Sequence, residues 1–259
     1  MTLPPTAILA LHRVEKCYEN GVQALSNFDL TVFGNEFLTL LGPSGCGKST
    51  VLRLIAGLSE PTRGAVAWAG ASQVDHRHEI GFVFQEPTLM PWANVADNVW
   101  LPLRLRGLSR REASRQIAES LSRVGLEAFA AAYPRELSGG MKMRVSIARA
   151  LVMRPRLLLM DEPFGALDEI TRFRLNDDLL RLKADLGCTV VFVTHSVFES
   201  VSLSDRVVVM SPRPGSVIAE LKVDAPDRRG EDFRVSSRYG ELCRAVSKVL
   251  SEAMADKEA

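Results

Sequence analysis

The chain has 259 residues, is 46% apolar and 24% charged, and carries a formal net charge of +1. That composition fits one large core or two lobes and excludes a disordered or fibrous chain, while the near-zero charge argues against a protein built to neutralise nucleic-acid phosphates. No run reaches the about 18 apolar residues of a membrane span; the longest, near Leu151 to Met160, is broken by Arg154, Pro155 and Arg156.

Met1 to Ala10 has no basic region ahead of its apolar piece, so no secretory leader is expected. The first third then alternates short β-rich runs with turns. Strands are expected at Ile8–Val14, Leu25–Val32, Glu36–Leu41, Ala65–Trp68 and Ile80–Phe84, turns at Glu19-Asn20-Gly21 and Gly34-Asn35, and a helix at Lys48–Ala56. His76 and His78, flanking Arg77, read as a solvated loop without a third residue at metal-ligand spacing. After Gln85 the period changes to that of helices, at Val95–Leu105, Arg110–Val124 and Gly139–Val152, with Pro102, Gly107, Gly125 and Pro134 as punctuation. The arginines of this lobe, Arg104, Arg106, Arg110, Arg111, Arg115 and Arg123, read as a solvated face. Alternation resumes with Leu157–Met160, Ile170–Leu186, Thr189–Val193, Val197–Leu203 and Arg206–Met210, which implies parallel strands with crossover helices. A late strand, Val217–Val223, and a helix from about Phe233 to Met254 complete the chain. The four cysteines, Cys17, Cys46, Cys188 and Cys243, lack C-x-x-C spacing, so free thiols in a reducing compartment are expected.

Three segments carry chemistry. Gly42-Pro43-Ser44-Gly45-Cys46-Gly47-Lys48-Ser49, between a strand and a helix, fits G-x-x-x-x-G-K-[ST] at every fixed position. Its glycines allow a concave loop whose N–H groups converge on a nucleotide's phosphates, with the helix N-terminus of Lys48, Ser49 and Thr50 behind it. Lys48 would reach the β- and γ-phosphates and the Ser49 hydroxyl would join the oxygen shell of Mg²⁺. Leu157–Met160 ends in Asp161-Glu162, carboxylates at the carboxyl edge of a parallel strand: Asp161 suits Mg²⁺, and Glu162 suits a general base for an attacking water. The plain alternative is a pair of capping acids in a strand-to-helix turn. Leu137-Ser138-Gly139-Gly140-Met141 opens a helix with a serine and two glycines, a second anion-binding helix start.

With these segments the chain resembles the nucleotide-binding subunit of an ATP-binding cassette (ABC) transporter, over about residues 8 to 222. The resemblance implies an α/β P-loop NTPase fold: a RecA-like core, an antiparallel β subdomain and an inserted helical subdomain. It implies boundaries at 1–86 for the β subdomain and phosphate-loop part, 87–152 for the helical subdomain, 153–223 for the rest of the core and 224–259 for a tail. In that family two cassettes pack head to tail, and each ATP lies between the phosphate loop of one and the signature helix of the other. Ser138, Gly139 and Gly140 would then serve the partner's ATP; Met141 stands where the family's signature has glutamine. The resemblance further implies that Tyr18 stacks on adenine, that Gln85 touches Mg²⁺ and the water, that Asp168 of Ala166-Leu167-Asp168 reaches across the dimer, and that His195 hydrogen-bonds the γ-phosphate.

The expected activity is ATP hydrolysis with Mg²⁺, used to move a separate permease. A freestanding cassette resembles bacterial importers served by an external binding protein. Gln85–Val95 and Met210-Ser211-Pro212-Arg213-Pro214-Gly215 resemble the nitrate, sulfonate and taurine group. The resemblance implies a second cassette, in a homodimer, as partner, permease subunits, no nucleic acid, and a peripheral position on the cytoplasmic face of the cell membrane. A soluble ABC ATPase of DNA repair or translation is the competing reading; such chains carry a coiled-coil insertion or a second cassette. A small-molecule kinase would leave Ser138 to Gly140 and His195 without work.

Overall fold

A computed structural model of the chain describes residues 6 to 69, 76 to 226 and 229 to 255. The described chain separates into two compact units, one formed by Met1–Arg77 with Cys188–Ala259 and the other by His78–Gly187.

The first unit holds two sheets. β1 (Ala7–Cys17) pairs antiparallel with β2 (Gln23–Phe33) on one side and β4 (Arg63–Trp68) on the other. The β1–β2 connection is the expected turn, closed by the Tyr18 and Val22 backbones at 2.9 Å with Gly21 at φ +81°. In the second sheet β3 (Phe37–Leu41) lies between β7 (Thr189–Thr194) and β8 (Arg206–Met210), parallel to both, and β9 (Val217–Lys222) runs antiparallel to β8. Every residue of β3 and β7 is buried, which is why both read as continuous apolar runs without alternation. Phe37 and Phe192 meet there with ring centroids 5.8 Å apart. Helices α1 (Lys48–Ile55) and α6 (Val197–Leu203) follow β3 and β7.

The C-terminal helix divides. A short α7 (Glu231–Arg234) precedes α8 (Ser237–Ala255), because Ser236 closes a turn on the Phe233 carbonyl and accepts from the Tyr239 N–H. Tyr239, Cys243, Val246 and Ala253 of α8 share a buried cluster with Val201, Val207 and Val209. His76 departs from the solvated-loop expectation: it opens a 3₁₀ turn, His76–Glu79, and its ring stacks on Trp68 at 4.7 Å.

The second unit pairs β5 (Ile80–Val83) parallel with β6 (Leu157–Asp161) and adds helices α2 (Val95–Leu105), α3 (Ser114–Arg123), α4 (Gly139–Leu151) and α5 (Glu169–Leu186). Pro102 does not punctuate α2 but lies inside it, and α3 begins four residues after Arg110. Of the arginines expected to form a solvated face, Arg104, Arg106, Arg111 and Arg115 are exposed and Arg110 and Arg123 are half-buried, and several are paired locally: Arg110 with Asp97 at 3.0 Å, Arg115 with Glu119 at 2.8 Å, and Arg106 with the His78 carbonyl at 3.1 Å. No helix among the described residues is long and apolar enough to cross a membrane.

Candidate functional site

The expected site residues fall into both units. In the first unit, β3 ends at Leu41 and the chain turns through Gly42 to Gly47 into α1. Gly47 occupies the N-cap of α1 at φ +106°, and a Cβ there would lie 2.8 Å from the Ala24 carbonyl oxygen, so only glycine fits. Having no side chain, Gly47 makes no side-chain cap to the first turn of α1, and no acidic residue stands in that turn. The loop thus presents aligned N–H groups and the positive end of a helix, the chemistry that suits a polyphosphate. Lys48 is buried, and its ammonium donates to the carbonyls of Gly42 at 2.8 Å and Pro43 at 2.9 Å. Cys46, 1% exposed, is sealed under the loop. The hydroxyls of Tyr18 and Thr50 lie 3.1 Å apart, which ties the turn after β1 to the first turn of α1.

His195 belongs to the same unit. Because Leu41 is in register with Thr194, the strand ends carrying Gly42 and His195 emerge side by side on the carboxyl edge. His195 itself is exposed. The turn that bears it is braced by its neighbours: the Thr194 hydroxyl donates to the buried Glu199 carboxylate at 2.6 Å and accepts from the Ser196 N–H at 3.0 Å. Ser196 in turn caps α6 through the Glu199 N–H. From the tail, the Tyr239 hydroxyl donates to the Phe198 carbonyl at 3.0 Å, and burial raises its pKa above the ordinary phenol value.

The second unit gathers the remaining candidates at two places. Val83 pairs with Met160, so Gln85 and the Asp161-Glu162 pair follow neighbouring parallel strand ends. Glu162 adopts φ +43°, a left-handed conformation rare for a side chain with a Cβ, which concentrates backbone strain at the candidate base. At the other place two helix starts meet. Ser138 caps α4, accepting from the Met141 N–H at 3.3 Å, and Asp168 caps α5, accepting from the Thr171 N–H at 3.0 Å. A Cβ on Gly140 would lie 2.8 Å from Thr171 Cγ2, so the second signature glycine lets the two helix starts approach. Hydrogen bonding, first from the Thr171 backbone, lowers the Asp168 pKa below its ordinary value. Ser138, Gly139 and Asp168 are exposed.

Two organising residues were not visible in the sequence reading. Arg149 of α4 donates to the Pro87 carbonyl, the Thr88 carbonyl and the Thr88 hydroxyl at 2.9 to 3.0 Å, holding the segment that follows Gln85, and burial lowers its pKa. Asn98, fully buried in α2, accepts from the Met90 N–H and donates to the carbonyls of Met90, Ala93 and Asn94. A polar residue on the inner face of an apolar helix was the available signal for Asn98. Beside these lies a cavity of about 360 Å³ whose lining includes Phe82, Phe84, Leu101, Leu105, Arg149 and Met153. Leu105 is 79% exposed there, and Trp92 of the same unit is 77% exposed.

Comparison with known proteins gives the family. A family model described as ABC transporter matches residues 25–165. The chain is 41% identical to the nitrate import ATP-binding protein NrtD of Synechocystis sp. over 96% of this chain and 98% of that protein. It is 41% identical to the taurine import ATP-binding protein TauB of Rhizobium johnstonii over 90% of this chain and 91% of that one. Among solved structures, the dimeric post-hydrolysis state of the ATP-binding cassette MJ0796 bound to ADP and Pi superposes with a TM-score of 0.74 at 35% identity, covering 85% of this chain and all of that one. The chain therefore belongs to the ABC transporter family.

Proposed function

We propose that the chain is the ATP-hydrolysing subunit of a bacterial importer for a small solute of the nitrate, sulfonate and taurine group, acting on a separate permease. The observation that carries the mechanism is the presence in one chain of a glycine-rich loop before α1 and of a second helix-start cluster, Ser138 to Gly140 beside Asp168. An ATPase working alone has no use for that second cluster. A pair of cassettes in which each ATP is closed by the partner's signature helix does.

In this reading the residues Gly42 to Thr50 other than Pro43, which has no N–H, bind the phosphates through backbone N–H groups, Lys48 supplies the positive charge and Tyr18 receives the adenine. Ser49, Gln85 and Asp161 offer hydroxyl, amide and carboxylate oxygens, a donor set that suits Mg²⁺. When bound, Mg²⁺ offsets the negative charge of the β- and γ-phosphates. Glu162 accepts the proton of the attacking water, Gln85 orients that water, and His195 donates to the γ-phosphate. Ser138, Gly139, Gly140 and Asp168 act on the partner's nucleotide. Loss of the γ-phosphate removes the contacts that favour the closed pair, and so converts hydrolysis into motion.

The groove lined by Phe84, Leu101 and Leu105 is the proposed seat for a short helix of the permease. Its apolar lining and exposed Leu105 suit an amphipathic helix. Its neighbour Gln85 would link nucleotide state to that contact. The names of the relatives, with identities of 41% over nearly their whole lengths, support the importer class and the cargo group. The chain would then lie peripherally on the cytoplasmic face of the membrane. Affinity purification of the tagged chain from gently solubilised membranes, followed by mass spectrometry, tests this. A stoichiometric multi-span subunit is the expected companion; only soluble companions, with membrane complexes intact in a control, would overturn the reading in favour of a soluble ABC ATPase.

A further inference from the structure

The segment joining β8 to β9 has no part in the function proposed above, yet it is built onto the phosphate loop. Ser211 to Ser216 form a closed turn: the Ser211 N–H donates to the Ser216 carbonyl at 3.0 Å, the Ser216 N–H donates to the Ser211 hydroxyl at 2.9 Å, and that hydroxyl donates to the Pro214 carbonyl at 3.1 Å. The turn is stitched to β2, since the Gly215 N–H donates to the Ala24 carbonyl at 2.9 Å and the Gly215 carbonyl accepts from the Ser26 N–H at 3.0 Å. Its other side rests on the phosphate loop, so tightly that a Cβ on Gly215 would come within 2.0 Å of the Cys46 carbonyl oxygen. At the exposed tip, Arg213 Nε donates to the Gly45 carbonyl at 3.1 Å.

A concave loop that turns its N–H groups inward must turn carbonyls elsewhere, and each needs a donor or water. Lys48 takes the carbonyls of Gly42 and Pro43, and Arg213 takes that of Gly45. Gly45 sits at φ +74°, a conformation glycine adopts freely and therefore leaves freely. The Arg213 contact ties that peptide to a turn that is anchored on two strands.

We propose that Arg213 is a positioning residue for the phosphate loop, holding the Gly45 carbonyl outward so that the loop meets nucleotide already in its binding shape. This rests on the loop being the nucleotide site, and the test separates the two claims. MgADP binding to the full chain is measured by calorimetry, and amide exchange over residues 42 to 49 by mass spectrometry, for wild type, Arg213→Ala and Arg213→Lys. Loss of one charge-assisted hydrogen bond predicts that Arg213→Ala binds MgADP about tenfold more weakly, raises KM for ATP more than it lowers kcat, and speeds exchange in the loop but not in β8. The lysine variant, which keeps a charged donor, recovers most of the affinity. The proposal is overturned by wild-type affinity in Arg213→Ala, by a loss that disappears at high salt and so reflects only a screened field, or by faster exchange throughout β8 and β9, which would mean a folding role. A wild-type chain that binds no MgADP would instead overturn the nucleotide-site reading itself.

Discussion

Leu41 of β3 lies in register with Thr194 of β7, so that the next residues, Gly42 and His195, leave the sheet at adjacent parallel strand ends. A loop fit for phosphates and a titratable ring are thereby anchored to two fully buried strands. Lys48 is the charge at this edge. Replacing it by alanine removes a charged donor worth about 1.5–3 kcal/mol, so Lys48→Ala should bind MgATP at least about tenfold more weakly. Calorimetric titration checks it, and unaltered affinity would exclude Lys48 from the phosphate contact.

Glu162 combines strand-end placement with a left-handed backbone. In the proposed role of general base it should lose about 10²- to 10⁴-fold in turnover on conversion to glutamine. Glu162→Gln should also accumulate a dimer only when ATP is present. Phosphate release and light scattering measure the two effects, and a variant that hydrolyses ATP at the wild-type rate would remove Glu162 from the base role.

Asn98 makes four hydrogen bonds to the 90–94 segment from a fully buried position. Asn98→Leu leaves the Met90 N–H and several carbonyls without that partner, and should destabilise the protein by about 2–4 kcal/mol. Urea denaturation reads the change, and a loss below about 0.5 kcal/mol, the range of ordinary surface substitutions, would show that water or neighbours replace the side chain.

Leu105 is the most exposed apolar residue described at the groove. Leu105→Asp places a charge where an amphipathic helix would have to desolvate it. The expected result is loss of the membrane subunit from the affinity-purified complex, seen as its disappearance from the mass spectrum; full retention would move the permease contact elsewhere on the chain.

The cysteines offer a chemical check on the packing. Cys17 is exposed, whereas Cys46, Cys188 and Cys243 are buried, and burial raises the Cys243 pKa. A raised pKa means less thiolate at neutral pH, so brief alkylation of the native protein at pH 7.5 should label Cys17 alone. Peptide mapping of the labelled chain decides, and modification of Cys243 at the same rate would contradict the docking of α8.

The sequence by itself determined the element types and the place of the glycine-rich loop between β3 and α1, because those rest on local rules. A glycine-rich turn between an apolar run and a helix can be recognised from spacing, and β3, β7 and α1 followed at nearly the expected bounds. The strand end at Asp161-Glu162 and the helix start at Ser138 were legible for the same reason. What only the tertiary structure decided were contacts between segments distant in the chain. Arg213 lies 168 residues from the Gly45 carbonyl it holds, and Arg149 lies 61 residues from Thr88. The segment holding Arg213 was legible as a group resemblance, but neither contact was, since an arginine that binds a carbonyl leaves no more trace in composition than one in water. The stacking of His76 on Trp68 and the break between α7 and α8 escaped for a related reason: each is settled by how a side chain competes for a neighbour once the chain has folded, a choice that local propensity does not encode.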